Sequence, residues 1–385
     1  MPNKLLTPKD AAHLAQVVYG GLRQEDPRQI MARYGNDIGA NFSPSSGTID
    51  GKTGAIFKRT SNFAMVLEGK GRYAGHRVVT IRGTDFPSLS DWLTNGNVAL
   101  AKGPGGNLVH AGFNRVYKSI IGPIVAALGG ASGGPVHVCG HSLGGAIGNN
   151  VALDLKLSGH DVALYTFGAP RSGYVGHATD LTTKLGKRNI KRVYNISDPV
   201  PMVPIFPFIH PPYPGDGLRI GAPTDMIWTS HHSMLKYIST MGDQQWSNVS
   251  DASDNVSTRW ESVEDALYWA GKYTSVPGGS WAMWALGKAL GLIIKAIGGV
   301  AMIAITGAVT AIDLVAALLI KAVQIAGQIG DWVLDWIKLA LRWLGKEVMT
   351  TAADVTRAFL KYLLNMLYSR VATMARRAID VLPRA

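Results

Sequence analysis

Pro135-Val-His-Val-Cys-Gly-His-Ser-Leu-Gly-Gly-Ala146 is the stretch on which the fold turns. Its apolar run ends at a glycine-flanked serine, and small residues follow immediately. In a Gly-x-Ser-x-Gly pattern a strand breaks into a sharp turn, and the serine sits at the apex in a strained conformation with its hydroxyl pushed into open space. Side chains at Gly140 or Gly144 would collide with the crossing strand and helix. Val136 to Cys139 reads as a short buried strand, and Gly145 to Leu157 as a helix whose first turn is small enough to pack tightly on it. Ser142 is therefore read as a nucleophile. The competing reading is a glycine-rich turn whose serine merely caps the helix.

Outward from this stretch, strands alternate with helices. Asn62 to Glu68 and His76 to Arg82 are β-rich runs joined by a hairpin signal, Gly-Lys-Gly-Arg-Tyr-Ala-Gly. Asn114 to Leu128 reads as a helix leading into the serine strand. Val162 to Phe167 and Ile190 to Ile196 read as two more apolar strands, with Asp180 to Leu185 helical between them. This alternation predicts an α/β fold with a mostly parallel sheet covered on both faces. Near the start, Thr7 as N-cap and Pro8 at the first helical position open an amphipathic helix over Asp10 to Leu22, expected to cover the sheet. Residues 35 to 55, rich in Gly, Ser, Asn and Asp, read as loop.

The 385 residues are 47% apolar, ample for a core, and Lys and Arg exceed Asp and Glu by 12. Such a balance favours anionic partners. The basic residues are dispersed and no nucleic-acid motif is present, so acidic lipid is favoured and nucleic acid is not expected. The single cysteine, Cys139, excludes an internal disulfide and reads as a buried strand residue. Met1 to Asp10 has no apolar h-region or cleavage site, so ordinary secretory export is not expected from it.

Gly140-His-Ser-Leu-Gly-Gly145 resembles the elbow of the class 3 lipases. Other pieces match that family in the same order: Val78-Val-Thr-Ile-Arg-Gly-Thr84 with Asp91-Trp92 after it, His110-Ala-Gly-Phe113, Tyr165-Thr-Phe-Gly-Ala-Pro170, and Arg192-Val-Tyr-Asn-Ile-Ser-Asp-Pro-Val-Pro201. The resemblance covers roughly residues 60 to 240 and implies an α/β-hydrolase, a serine carboxylester hydrolase acting on lipid. Its chain order of Ser, Asp, His then limits the partners of Ser142. Asp198 follows the strand that ends at Ile196, with Asp180, Asp216 and Asp225 as rivals and a turn-forming aspartate before proline as the competing reading. In Trp228-Thr-Ser-His-His-Ser-Met-Leu-Lys-Tyr237 the base is His232, because the family pattern puts Ser directly after it and an aromatic residue five positions on; His231 is the alternative. His110, His137, His141 and His210 fit structural roles. The oxyanion donors expected are the backbone N–H of Leu143 and Thr84, the latter with its hydroxyl. Phe86 to Leu100 is a lid candidate on the same resemblance, against a fixed surface loop. Pro199 to Pro214 is read as a wall of an acyl site or as a rigid connector. No cluster has metal-ligand spacing, so neither metal nor organic cofactor is expected.

Beyond residue 275 the sequence changes character, and two parts are expected: a catalytic domain at 1–275 and an all-helical hydrophobic extension at 276–385. Ala296 to Ile320 is long and apolar enough to span a bilayer, or its small residues let helices pack in a bundle, with Asp313 costly in lipid unless paired. Asp331 to Lys346 is amphipathic, and Trp332, Trp336 and Trp343 are read as interfacial anchors, against the packed face of a bundle. If they are anchors, a chain ending near Thr274 keeps its chemistry on soluble esters and loses only its advantage on membranes. The function expected is hydrolysis of membrane glycerophospholipid; the alternative from another class is a membrane-inserting or pore-forming toxin with a secondary lipase domain. A lipase without a secretory signal and with a hydrophobic extension is similar in organisation to lipase effectors of type VI secretion, which implies a dedicated inhibitor, immunity protein or chaperone as partner.

Overall fold

The computed structural model describes residues 5–23, 29, 35–45, 47–53, 58–83, 99–130, 133–215, 217–220, 226–249, 262–274, 278–298, 310–324, 327–348 and 351–380. Helix α1 (Pro8–Val17) begins as its sequence predicts, with the Thr7 hydroxyl accepting from the Asp10 N–H, and runs into a 3-10 turn at Val18–Arg23. Residues 35 to 55 are not all loop: they form helix α2 (Gly35–Asn41) and strands β1 (Phe42–Pro44) and β2 (Ile49–Thr53). Their composition argues against regular structure, but both strands complete ladders on β3 (Lys58–Gly69), and buried Ile38 and Phe42 anchor the segment. Strand β4 (Arg77–Ile81) pairs with β3 as the expected hairpin.

A two-stranded ribbon, β5 (Leu100–Lys102) and β6 (Leu108–His110), precedes helix α3 (Ala111–Leu128), which the His110 ring caps through the Gly112 N–H. Then come β7 (Val136–His141), α4 (Leu143–Leu157), β8 (Val162–Phe167), α5 (Val175–Leu185), β9 (Ile190–Asn195), β10 (Leu218–Ile220) and α6 (Met234–Met241). Strands β4, β7, β8, β9 and β10 are parallel neighbours in that order, and β1, β2 and β3 add an antiparallel flank. This is the mostly parallel sheet expected.

Alternation along each strand assigns the two faces. On β7, Cys139 points to a smaller core with α1, α2 and α6, while Val136 and Val138 point to a larger one with α3, α4 and α5. Among the described residues, five further helices complete the larger core: α7 (Val263–Tyr273), α8 (Ser280–Ala296), α9 (Ala311–Gln324), α10 (Gln328–Trp343) and α11 (Arg357–Asp380). The helical layer thus starts before residue 276, since α7 lies packed along α8. It also bonds directly to the sheet side: the Trp284 indole N–H donates to the Ile196 carbonyl at 3.1 Å, the Arg171 guanidinium lies over the Trp284 ring, and Arg219 lies over Trp281.

Two of the three expected membrane anchors are core residues instead. Trp336 and Trp343 are almost fully buried, and their N–H groups donate to the carbonyls of Leu286 and Gly279 at 2.9 and 2.8 Å. Only Trp332 is part-exposed. The amphipathic period fixed which rings share a face, but a helix neighbour, α8, occupies that face. Of Ala296 to Ile320, residues 299–309 lie outside the described residues; the remainder of that segment from Ala311 packs as α9 on α10 and α11. Asp313 is paired, its carboxylate 2.5 Å from Lys361 on α11 and its acidity raised by that contact and by the Thr310 hydroxyl. Among the described residues, no helix is long and apolar enough to cross a membrane.

Candidate active site

Three polar side chains meet at the carboxyl ends of the parallel strands. Ser142 sits directly after β7 with φ 55° and ψ −131°, the one non-glycine residue at positive φ among the described residues. Such a conformation costs about 1–3 kcal/mol and persists only where packing over-determines it. The glycines do that here: a Cβ on Gly144 would strike the Ile81 carbonyl, and one on Gly140 would strike the Gly144 carbonyl. Helix α4 therefore starts hard against both β4 and β7, with Leu143 as its first residue and buried.

Asp198 lies three residues beyond β9. Its Oδ1 accepts the Val200 N–H at 2.9 Å, and its own N–H donates to the Asn195 carbonyl, so the backbone of the turn holds the carboxylate. His232 ends the 3-10 turn Thr229–His232, which is tied to the Asp198 turn because the Trp228 N–H donates to the Ser197 carbonyl at 2.9 Å. The result is a continuous chain of hydrogen bonds. The Ser142 hydroxyl is 2.8 Å from His232 Nε2, and His232 Nδ1 is 2.8 Å from Asp198 Oδ2. All three side chains are 0–1% exposed. With Nδ1–H donated to a carboxylate, Nε2 is left as the acceptor for the serine proton, the tautomer a general base needs.

His231 does not take this place. It points toward Trp228, with ring centroids 6.4 Å apart, and its pKa is lowered by burial and by Lys236. Asp180 accepts from the Asn107 side chain at 3.3 Å instead, while Asp216, Asp225 and Thr84 lie outside the described residues, as do residues 86–98 of the lid candidate. In the Pro199 to Pro214 segment, Val200, Met202, Val203, Ile205 and Phe208 belong to the larger core.

Two residues at the site were not given roles by sequence reasoning. Tyr237 donates its hydroxyl to Asp198 Oδ2 at 2.7 Å and accepts the Asn195 N–H at 3.1 Å; burial and the neighbouring carboxylate push its pKa well up, so it stays a donor. Gly168, at φ 57°, lies so close that a Cβ there would stand 2.8 Å from Asp198 Oδ2 and 3.1 Å from His232 Nδ1. The pattern Thr166-Phe-Gly-Ala-Pro170 contained that signal, because a glycine after a strand marks either a turn or a close approach.

Comparison with known proteins agrees with the family resemblance. The family profile Lipase (class 3) matches residues 78–208. The secreted mono- and diacylglycerol lipase 1 of Fusarium solani is 35% identical over 153 residues, 36% of this chain and 44% of that protein. Toxin TseL of Vibrio cholerae is 29% identical over 168 residues, 42% of this chain and 24% of the toxin. The chain thus spans less than half the length of these curated relatives. Among solved structures, lipase II from Rhizopus niveus aligns with a TM-score of 0.41 at 22% identity, covering 55% of this chain and 77% of that one.

Proposed function

We propose that this chain, whose residues 78–208 match the class 3 lipases, is a serine carboxylester hydrolase that cleaves the acyl esters of membrane glycerophospholipids. The observation that carries the reading is the hydrogen-bonded series Ser142, His232, Asp198 at a strained strand-to-helix elbow. Ser142 Oγ attacks the ester carbonyl as its proton passes to His232 Nε2, and Asp198 holds the imidazolium that forms. The oxyanion of the tetrahedral intermediate is met by the backbone N–H of Leu143, at the start of α4, and by that of Thr84. Collapse breaks the ester C–O bond, and the leaving glycerol oxygen takes the proton back from Nε2. Water then repeats the sequence on the acyl-serine and frees the fatty acid.

A membrane substrate is favoured by the net charge of +12, which suits an anionic lipid surface. The similarity to a lipase named as secreted and to a protein named as a toxin supports a chain that is exported, acts on membranes of another cell, and is neutralised at home by a dedicated immunity or chaperone protein. The test is fatty-acid release from phospholipid vesicles and from diacylglycerol, with Ser142→Ala beside the native chain. Loss of about three decades or more is expected in the variant. Undiminished release by Ser142→Ala would remove the assignment, and dye leakage by that variant without release would favour the pore-forming alternative.

A further inference from the structure

We propose that Tyr19 is a positioning residue of this site, tying Gly83 at the end of the β4 run and, through His141, the base side to the nucleophile elbow. The inference rests on the reading of Ser142 as nucleophile. Tyr19 belongs to the 3-10 turn after α1, which sequence reasoning assigned only to covering the sheet.

The hydrogen-bond directions follow from chemistry. His141 Nε2 lies 2.8 Å from the His232 carbonyl oxygen, which can only accept, so Nε2 carries the hydrogen. The ring is fully buried and stays neutral, its pKa held well below the usual range by burial and by the neighbouring His232, so Nδ1 is a bare acceptor. The Tyr19 hydroxyl, 2.7 Å away, must donate to it. Its oxygen in turn accepts the Gly83 N–H at 3.0 Å. One directed chain therefore runs from Gly83 N–H to the Tyr19 hydroxyl, to His141, to the His232 carbonyl.

The positions of its ends give the chain its consequence. Gly83 ends the β4 run and leads directly into Thr84, and it lies so near the elbow that a Cβ on it would stand 2.8 Å from Ser142 Cβ. Its N–H is taken by Tyr19, so its part is to fix where the next residue begins. At the other end, His141 bonds the backbone of the base residue while its ring stacks on the His232 imidazole, centroids 4.7 Å apart. Tyr19 thus sets the spacing between the end of the β4 run at Gly83, the nucleophile and the base without touching a reacting atom. Misplacement on the ångström scale at such a constellation costs about 100-fold in rate.

The test uses the full chain with a short soluble ester, concentration normalised by phosphonate titration of the reactive serine. Tyr19→Phe keeps the ring and deletes the hydroxyl; Tyr73→Phe, which deletes a buried hydroxyl donating to Asp10 at 2.6 Å, is the structural control. Tyr19→Phe should lower kcat about 10- to 100-fold at unchanged KM and slow phosphonate inactivation by the same factor. Tyr73→Phe should lower only the unfolding midpoint. His141→Gln should show the kcat loss too, and the double variant should be no slower than the slower single. This second variant carries the test if Tyr19→Phe does not fold. Native kcat in Tyr19→Phe, with Ser142→Ala inactive, overturns the positioning role alone; native turnover in Ser142→Ala overturns it together with the proposed function.

Discussion

Trp343→Ala tests whether the helical layer is core or membrane surface. The Trp343 ring is fully buried in α10, its N–H donates to the Gly279 carbonyl at 2.8 Å, and Arg370 of α11 lies over it with 5.4 Å to the ring centroid. Truncating a buried Trp to Ala costs roughly 3–5 kcal/mol through lost transfer energy and the cavity left behind. The Gly279 carbonyl keeps a weaker bond from the Met283 N–H at 3.3 Å, so its orphan penalty falls at the low end, about 1 kcal/mol. Loss of the guanidinium over the ring adds roughly 0.5–1 kcal/mol. The sum, about 4.5–7 kcal/mol, is a large fraction of a typical domain's stability. Chemical denaturation followed by far-UV circular dichroism should show a large fall in midpoint for Trp343→Ala, and a similar fall for Trp336→Ala. Trp332→Ala, one turn before Trp336 and part-exposed, should cost about 1 kcal/mol or less. Equal midpoints for the three variants, with vesicle binding lost in Trp343→Ala, would refute the argument and return the ring to the lipid interface.

Three other outcomes follow from the geometry. Gly168→Ala combines a positive-φ strain with a methyl placed 2.8 Å from Asp198 Oδ2, so ester turnover should fall by about three decades while the protein remains folded; turnover within tenfold of native would show that the turn can yield. A chain ending near Thr274 should be insoluble rather than a free-standing esterase, since it uncovers Tyr194 and Ile196, which contact Trp284 of α8, and the turn at Val200, which packs on α11; soluble yield and activity on a short ester measure this. His137 is held neutral, its pKa lowered to about 3 by burial and by His76, so between about 6.5 and 3 the unfolded state binds more protons and stability falls as pH falls, by a ceiling of roughly 5 kcal/mol. His137→Gln should flatten the dependence of the unfolding midpoint on pH between 4 and 6.5, and an unchanged slope would exclude this histidine as a source.

How legible each part was depends on how local its cause is. The elbow declares itself within six residues, because one strained φ demands glycines at fixed spacing on either side. Choosing His232 over His231 was legible only through the family pattern: both are histidines on one short turn, and it is the turn's 3-10 geometry that sends one ring to Ser142 and the other toward Trp228. Tyr19 was not legible at all. It lies 122 residues from the ring it bonds, in a segment whose pattern announces only an amphipathic helix. The strands at 42–53 were hidden for a related reason, since their Gly- and Ser-rich composition becomes strand only where β3 offers an edge.

The helical layer stayed between two readings, interfacial anchors and the packed face of a bundle, because an apolar face states that something covers it and not what. Here the cover is other helices, and the consequence reaches the site. The last helix, α11, packs on the turns Val200–Met202 and Thr229–His232, which begin two residues after Asp198 and end at His232. Asp198 is oriented by the Val200 N–H, so the packing that fixes Val200 also fixes the carboxylate. A division of the chain at 275/276 into chemistry and delivery therefore separates what the packing joins. Ser142, Asp198 and His232 are themselves 0–1% exposed, so the series of hydrogen bonds they form is held inside the same packing as the two turns.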